Sequence, residues 1–560
     1  MRADIEGERG HAPLRGGGAM AMISSHFLPF VRDLALTTGF GPKFQASVLP
    51  EMAVKVVARR LTAAASKATL AGLKGKEKRR YIVAPSLHQQ SAGPATTASL
   101  RALHDALIGT DAIVRSENET GRKVLRLSPL EAAVLREKFS GLLVEEDVQY
   151  KLARTPLLGE INAISVPQST ARQLTVRVRG GGGPVAGARV VLFTDVAAKR
   201  GYEGITGPNG DVIFSIRKAD TRFERSVVLP HARFWSRVWK SRGASSPLTL
   251  DVLPLQVAGF DWGLQTTEAK ANGVYAQGTY LGTGVKVAII DTGIAPHPSL
   301  RIAGGRNLIA GEDSNRWDDD VEGHGTHCAG VVAAIARQGS VWGYAPKTSL
   351  YALRVFGGAD RGGYASDIGD AIEWALGEGC DIISMSLGSQ TASSYIRSKI
   401  EKATDAGVLC VAAAGNEGGP VSYPARFRNV IGVSAIGRVG TYPKDSIHRD
   451  AESAVRSPDG KYFLASFSNR GEEVDVCAPG VAITSTLPAN AYGAWDGTSM
   501  ACPHITGVAA LALEAAPSIR TAPRDAGRMG MLVDRLHGLC VDLGLGRTNQ
   551  GAGLPLLSRL

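Results

Sequence analysis

Four residues able to do chemistry stand far apart in this chain, each in a glycine-rich setting and each at the end of an expected strand or the start of an expected helix. Asp291 closes KVAIIDTGI, His324 sits in EGHGTHCAG, Asn416 closes VAAAGN, and Ser499 opens the apolar stretch of WDGTSMACPH. Taken singly, each has an ordinary reading. An Asp at a strand end makes turns, a His at a helix start packs or meets solvent, and Thr498 or Ser499 would cap a helix. Together they are the parts for acyl transfer through a serine. A hydroxyl becomes a nucleophile when a base within reach takes its proton. Imidazole titrates near neutral pH and suits that task. A carboxylate holds the imidazole's tautomer and stabilises its cation. The oxyanion needs fixed donors, which an asparagine amide and a backbone N–H supply. Ser499 offers such an N–H at a helix N-terminus, where the dipole favours negative charge, and Gly497 lets substrate approach the backbone. His504 is five residues beyond Ser499, about 500° around a helix, and points away. The base is therefore assigned to His324, and His504 to packing.

These residues need a scaffold that brings distant strand ends to one edge. From about residue 256 the apolar strands KVAIID, LYALRVF, DIISMSLG, VLCVAAAGN and VIGVSAI alternate with helical segments such as THCAGVVAAIAR and ASDIGDAIEWALGEG. Continuous apolar strands alternating with helices imply an α/β fold with a mostly parallel sheet covered on both faces. Active groups in such sheets gather at the carboxyl ends of strands. Upstream, residues 78–153 read as strand–helix–strand–helix–strand, a small α/β module whose second helix opens with a capping box at Ser128, Pro129 and Glu131. Residues 165–255 switch to period two, with GGGGP and GPNGD turns, and imply a small β-sandwich. Residues 1–77 keep no steady period and read as a poorly ordered leader.

At VAIIDTGI, GHGTHCAG and GTSMACPH the chain resembles the subtilisin-like serine proteases, in motif and in the order Asp, His, Ser. The resemblance covers roughly residues 260–560, including SMSLG, VAAAGNEG, ASFSNRG and DVCAPGVAITSTLP. It implies a triad of Asp291, His324 and Ser499, with Asn416 as the oxyanion-hole amide. Ser386, Leu387, Gly388, Ala414 and Gly415 match the walls of the pocket for the residue before the scissile bond. Gly362, Gly363 and Tyr364 match the edge that pairs with extended substrate. The pocket segments are small and apolar, so an apolar or aromatic residue is expected there. Ser422 is placed near the pocket floor, and Glu417 at its rim, adding tolerance for basic residues. Cys328 is expected beneath the imidazole.

Residues 78–153 resemble the family's inhibitory propeptide, so a self-processing zymogen is implied, with the module as the enzyme's own partner. Cutting is expected within residues 150–156, directly after the VEED strand; the alternative is residues 254–262, beyond the sandwich. GPVAGARVVLF with GITGPNGDVIFSI resembles the carboxypeptidase regulatory-like sandwich. The implied function is a serine endopeptidase acting on polypeptides, and its chemistry requires no cofactor. Calcium is a separate matter. Many family members carry an Asp ligand after HP, but this chain has Ser299 there and Arg337 in the completing loop, so that site is expected to be lost. Asp318, Asp319 and Asp320 offer carboxylates for calcium and read equally as a solvated acidic turn.

Rival chemistries fit less of the chain. An aspartic protease needs a second DTG or DSG, and none occurs. A metal cluster in HGTHC leaves the Ser and Asn motifs unexplained. A purely adhesive or inhibitory protein leaves the whole constellation unexplained. The net charge is +11 and aromatic content only 6%; no Arg/Lys–aromatic pattern points to nucleic acid, and residues 74–80 read as a solvated linker. No apolar run is long enough to span a membrane. No standard signal peptide is visible. The six cysteines, none in CxxC spacing, read as buried thiols, which favours a reducing cytoplasm while leaving export open.

Overall fold

The structure is a computed structural model of the 560-residue chain. It describes residues 77–86, 93–139, 141–153, 161–257, 262–266, 280–335, 340–357 and 363–560. The leader (except Glu77) and Gly362 lie outside them, as does Arg337. The chain divides into two compact units between Asp147 and Val148.

In the first unit, helices Pro94–Leu107 and Pro129–Lys138 accompany a four-stranded antiparallel sheet. Its strands Arg79–Pro85, Lys123–Leu127 and Leu142–Glu146 fall where the sequence places them. The fourth, Ile113–Ser116, is missed by periodicity because it is short, half-buried along its length and irregular in register. Leu100, Leu103, Leu107, Leu125, Leu127 and Leu135 fill the core between helices and sheet. The capping box forms: Glu131 N donates to Ser128 Oγ at 3.3 Å, and Ser128 N to Glu131 Oε2 at 2.8 Å.

The second unit holds two further layers of structure. Between residues 162 and 252, a five-stranded and a four-stranded sheet enclose one apolar core that includes Leu174, Val190, Leu192 and Phe214. Residues 148–153, counted with the upstream module on sequence, belong to this second unit.

The α/β part is built on a nine-stranded sheet. Its strands are β1 Lys286–Asp291, β2 Ile302–Asn307, β3 Ser349–Arg354, β4 Ile382–Met385, β5 Leu409–Ala413, β6 Val430–Arg438, β7 Glu452–Arg456, β8 Tyr462–Ala465 and β9 Val476–Pro479. The order is β2-β3-β1-β4-β5-β6-β8-β7, with β9 also pairing β6. All pairs from β2 to β6 are parallel; β8 runs antiparallel to β6 and to β7. Strand order reverses about β1, and such a switch point opens a crevice beyond the strand ends. The chief helices are α1 His324–Ala333, α2 Ala365–Gly377, α3 Ser394–Asp405, α4 Thr498–Glu514 and α5 Ala526–Gly538. Helix α4 is buried along almost its whole length, which explains why it is apolar all round. A hairpin, β10 Ile483–Leu487 with β11 Ala491–Trp495, delivers the chain to α4. No helix among the described residues is long and apolar enough to cross a membrane.

Candidate active site

The fold brings Asp291, His324, Asn416 and Ser499 together from β1, α1, the exit of β5 and the start of α4. Asp291 Oδ1 lies 2.7 Å from His324 Nδ1, and both side chains are buried. The same oxygen accepts Thr292 N at 2.8 Å. His324 Nε2 and Asp291 Oδ2 make no hydrogen bond. Helix α1 can seat this close to β1 only because residue 325 is glycine: a Cβ there would stand 2.0 Å from the Gly293 carbonyl oxygen. The helix is tied down at its start by Asp320. Its two oxygens accept Gly323 N at 2.8 Å, and Thr326 N and Oγ1 at 2.8 and 2.6 Å, satisfying first-turn donors that have no helical partner.

Ser499 occupies the first turn of α4, just past Gly497, whose φ of 150° makes the turn. Its Oγ donates to the Ser386 carbonyl at 3.0 Å. Pro503 has no N–H to give Ser499 O, its i−4 carbonyl. That oxygen is taken instead by Ser386 Oγ at 2.9 Å and Cys328 Sγ at 3.5 Å. The Cys328 sulfur also lies 4.0 Å from His324 Nδ1, and burial pushes its thiol pKa well up, which keeps it a protonated, poor nucleophile. Asn416 is oriented from behind, its Oδ1 accepting Thr498 N and Oγ1, each at 2.9 Å.

A strand from the same chain lies in the crevice. Lys151–Leu152 pair antiparallel with Leu387–Gly388. Tyr150 N donates to Gly363 O at 2.8 Å, Ala365 N to Val148 O at 2.9 Å, and Gln149 bridges Tyr364. At the end of this strand, Ala153 N donates to Ser386 O at 3.0 Å. The Ala153 carbonyl oxygen accepts from Ser499 N at 3.2 Å and from Asn416 Nδ2. Of the residues singled out for substrate contact, Gly363, Tyr364, Ser386, Leu387 and Gly388 thus flank an extended peptide. Ala414 and Gly415 form the next layer: Ala414 O accepts Ser422 N, and Gly415 N donates to Thr498 Oγ1. Asn469 was missed by sequence reasoning. Its amide bonds Glu417 Oε2 at 2.7 Å and Ser422 Oγ at 3.2 Å, fixing both pocket residues from a segment, ASFSNRG, that was noted only for its likeness.

Two further histidines are engaged elsewhere. His504 Nδ1 bonds Met500 O at 2.7 Å and its ring meets Tyr344 edge-on. His327 Nε2 faces the Ile483 and Gly493 carbonyls, with its ring stacked on Trp495 at 4.8 Å. Among the described residues, the one group with metal-ligand chemistry close together is Asp291, His324 and Cys328, which does not include His327.

At the two places considered on sequence for calcium, the described residues are engaged otherwise. Ser299 presents a hydroxyl to Tyr492 at 3.3 Å instead of a carboxylate. In the acidic run, Asp320 is buried with both oxygens facing N–H or O–H donors, and Asp319 pairs with Arg316. The solvated-turn reading holds for exposed Asp318 but not for Asp320.

Burial leaves two of these histidines neutral. The pKa of His327 is pushed down to about 3, by desolvation and then by the neighbouring His324; that of His504 goes to about 4, by desolvation. The unfolded chain binds these protons below pH ~6.5 and the folded one does not. Stability is therefore full above that value and lost as the pH falls below it. Near pH 5 the pair should cost about 2.7 kcal/mol per pH unit. Asp320 and Asp475, whose burial raises their pKa, act in the opposite sense nearer the carboxylate range. Urea unfolding of the Ser499→Ala protein between pH 7 and 5 measures the effect, and a constant midpoint would refute it.

Comparison with known proteins gives this geometry a context. The subtilase family model matches residues 282–531. Subtilisin DY of Bacillus licheniformis is 42% identical over 256 residues, 45% of this chain and 84% of that protein. Subtilisin Savinase of Lederbergia lenta is 40% identical over 258 residues, 46% of this chain and 85% of the relative. Subtilisin E of Bacillus subtilis is 42% identical over 258 residues, 45% of this chain and 61% of its own length. Identity at this level across most of a relative's length goes with common ancestry, and the chain belongs to the subtilase family as a subtilisin-like serine endopeptidase.

Proposed function

We propose that the protein is made as a self-processing zymogen that cuts its own chain between Ala153 and Arg154 and thereafter hydrolyses extended polypeptides. What carries the reading is the Ala153 carbonyl, held between Ser499 N and Asn416 Nδ2 at the end of an antiparallel added strand. An inhibitor fused upstream of its enzyme acts at high effective concentration, and residues 79–147 run directly into that strand.

In this mechanism Ser499 Oγ turns from the Ser386 carbonyl towards His324 Nε2, which makes no hydrogen bond. It passes its proton to Nε2 and forms a bond to the Ala153 carbonyl carbon. The carbonyl π electrons move onto oxygen, where the Ser499 N–H and the Asn416 amide stabilise the negative charge. Asp291 holds the Nδ1 proton and the imidazolium. As the C–N bond breaks, His324 gives the proton to the departing amine of residue 154. Water, deprotonated by His324, then hydrolyses the ester and frees Ser499.

The strand also suggests a specificity. Ala153, the residue before the scissile bond, is small, and Tyr150, three residues earlier, is fully buried. Substrates with a small apolar residue at the first position and an aromatic at the fourth should be preferred. Purified wild-type protein should begin at Arg154, and a serine-directed phosphonate should label Ser499. Tyr150→Gly should slow the cut at least tenfold. An active enzyme that is uncut would overturn the zymogen reading, and one that begins beyond residue 254 would overturn the cut after Ala153.

A further inference from the structure

The β-sandwich meets the α/β part along residues 442–451 and the β10–β11 hairpin. Ile447 packs with Val191, Phe193 and Val227 of the sandwich. Val238 N donates to Asp445 O at 2.7 Å, the Ser236 and Ser446 hydroxyls pair at 2.9 Å, and Arg237 Nε reaches the Asp445 carboxylate at 2.5 Å.

Beside this surface lies a second buried His–Asp pair that the reaction does not use. His448 Nδ1 is 2.7 Å from Asp496 Oδ1, and the two residues are 1% and 3% exposed. The same Asp496 oxygen accepts Ala482 N at 2.6 Å. Ala482 is held at φ 55°, in the left-handed region that side-chain-bearing residues disfavour. One residue on, Gly497 N donates to Gly480 O at 2.8 Å. Asp496 is thus the side-chain tie between the turn that leads into Ser499 and the turn at 480–482. His448 Nε2 has no hydrogen-bond partner. Its ring is held by packing, edge-on to Trp235 at 5.7 Å and tilted against Tyr442 at 6.0 Å. Trp235 lies in the segment joining two strands of the sandwich.

We propose that His448 is a positioning residue for the peptidase reaction: the β-sandwich, through Trp235, sets the His448 ring, and the ring holds Asp496 and with it the turn that presents Ser499. The inference rests on the reading of Ser499 as nucleophile. A buried carboxylate must keep its donors. Without His448, Oδ1 retains only the Ala482 N–H, and the turn shifts to find another. Gly497 has no side chain to resist that shift, which falls on Ser499 N and Oγ. A misplacement of about 1 Å can cost about 10²-fold in rate. The strand's other partners, at Gly363, Ser386 and Leu387–Gly388, lie on separate segments, so substrate binding persists while turnover falls. The sandwich is accordingly a standing part of the mature enzyme. A cut after Ala153 retains Trp235, whereas a cut at 254–262 would remove it.

The test compares His448→Leu, His448→Asn and Trp235→Leu in the full chain. Each matured enzyme is assayed on a chromogenic peptide ending Tyr-Lys-Leu-Ala, with sites counted by phosphonate titration. His448→Leu should lose about 10–100-fold in kcat with KM within about threefold. His448→Asn, whose amide nitrogen stands where Nδ1 stood, should recover most of it, and Trp235→Leu should fall between. A folded, labelled His448→Leu enzyme with wild-type kcat overturns this inference alone, as does an Asn variant no better than Leu. If His448→Leu does not fold, Trp235→Leu decides: lowered kcat at constant KM supports the proposal, and unchanged kcat refutes it. Failure of the phosphonate to label wild-type Ser499 overturns the nucleophile reading and this inference together.

Discussion

Ser499→Ala is expected to lower turnover by about 10⁶-fold, the scale known for removing the nucleophile of a subtilisin, and to leave the chain at full length. The fold has little to lose by the change. The hydroxyl makes one hydrogen bond, to Ser386 O, which keeps Ala153 N as a second donor. Losing such a bond costs about 1 kcal/mol. The other contacts that hold residue 499, through its N–H and its carbonyl oxygen, are made by the backbone and survive. The variant should therefore purify as a folded, uncut protein in which residues 148–153 still occupy the crevice. Wild type made alongside it should lose residues 1–153. Gel mobility, N-terminal sequencing and initial rates at matched concentration read all three expectations. Turnover by Ser499→Ala at the wild-type rate would remove Ser499 from the reaction. A wild type that stays uncut yet is fully active would leave the serine in place and refute the latent precursor.

Some of this was legible in the sequence because local pattern and global position agree. KVAIID has a continuous apolar run, Val287–Ile290, with no alternation, so it is a central parallel strand, and the Asp that ends it stands at the sheet's carboxyl edge. Four such placements on separate elements made Asp291, His324, Asn416 and Ser499 recognisable before their distances were known. Asp320 was misread because three adjacent carboxylates look solvated. Its burial follows from tying down the start of α1, where it accepts from Gly323 and Thr326, three and six residues on, a local relation with no hydrophobic period to mark it. His448 gave no signal at all, since its partner Asp496 lies 48 positions on and its packing comes from the sandwich. The boundary at residue 153 shifted for a related reason. The tail of the upstream module has the composition of that module but pairs with the far edge of the crevice, and pairing partners are not encoded in a strand's own alternation.

Asn416→Ala should lower kcat by about 10²–10³-fold, the scale known for the oxyanion-hole amide of a subtilisin, with little change in KM. The loss falls on kcat because the contact made by Asn416 gains most of its strength as charge develops. In the proposed mechanism an extended substrate follows residues 150–153, whose bonds to Gly363, Ser386 and Leu387–Gly388 do not involve Asn416. Asn416 Nδ2 is aimed at the carbonyl oxygen, where the bond strengthens as the oxygen becomes anionic. Alanine also removes the acceptor for Thr498 N and Oγ1, so part of any loss could come from a loosened α4 start. Asn416→Asp separates the two effects. It keeps an oxygen for Thr498 but sets negative charge where the donor stood, facing the developing oxyanion. The Asp variant should melt at least as high as the Ala variant and be no faster. If Asp restored activity over Ala, the residue would matter for holding the helix start and not for the oxyanion. A defect confined to KM in either variant would place Asn416 in substrate binding and leave Ser499 N to stabilise the charge without it.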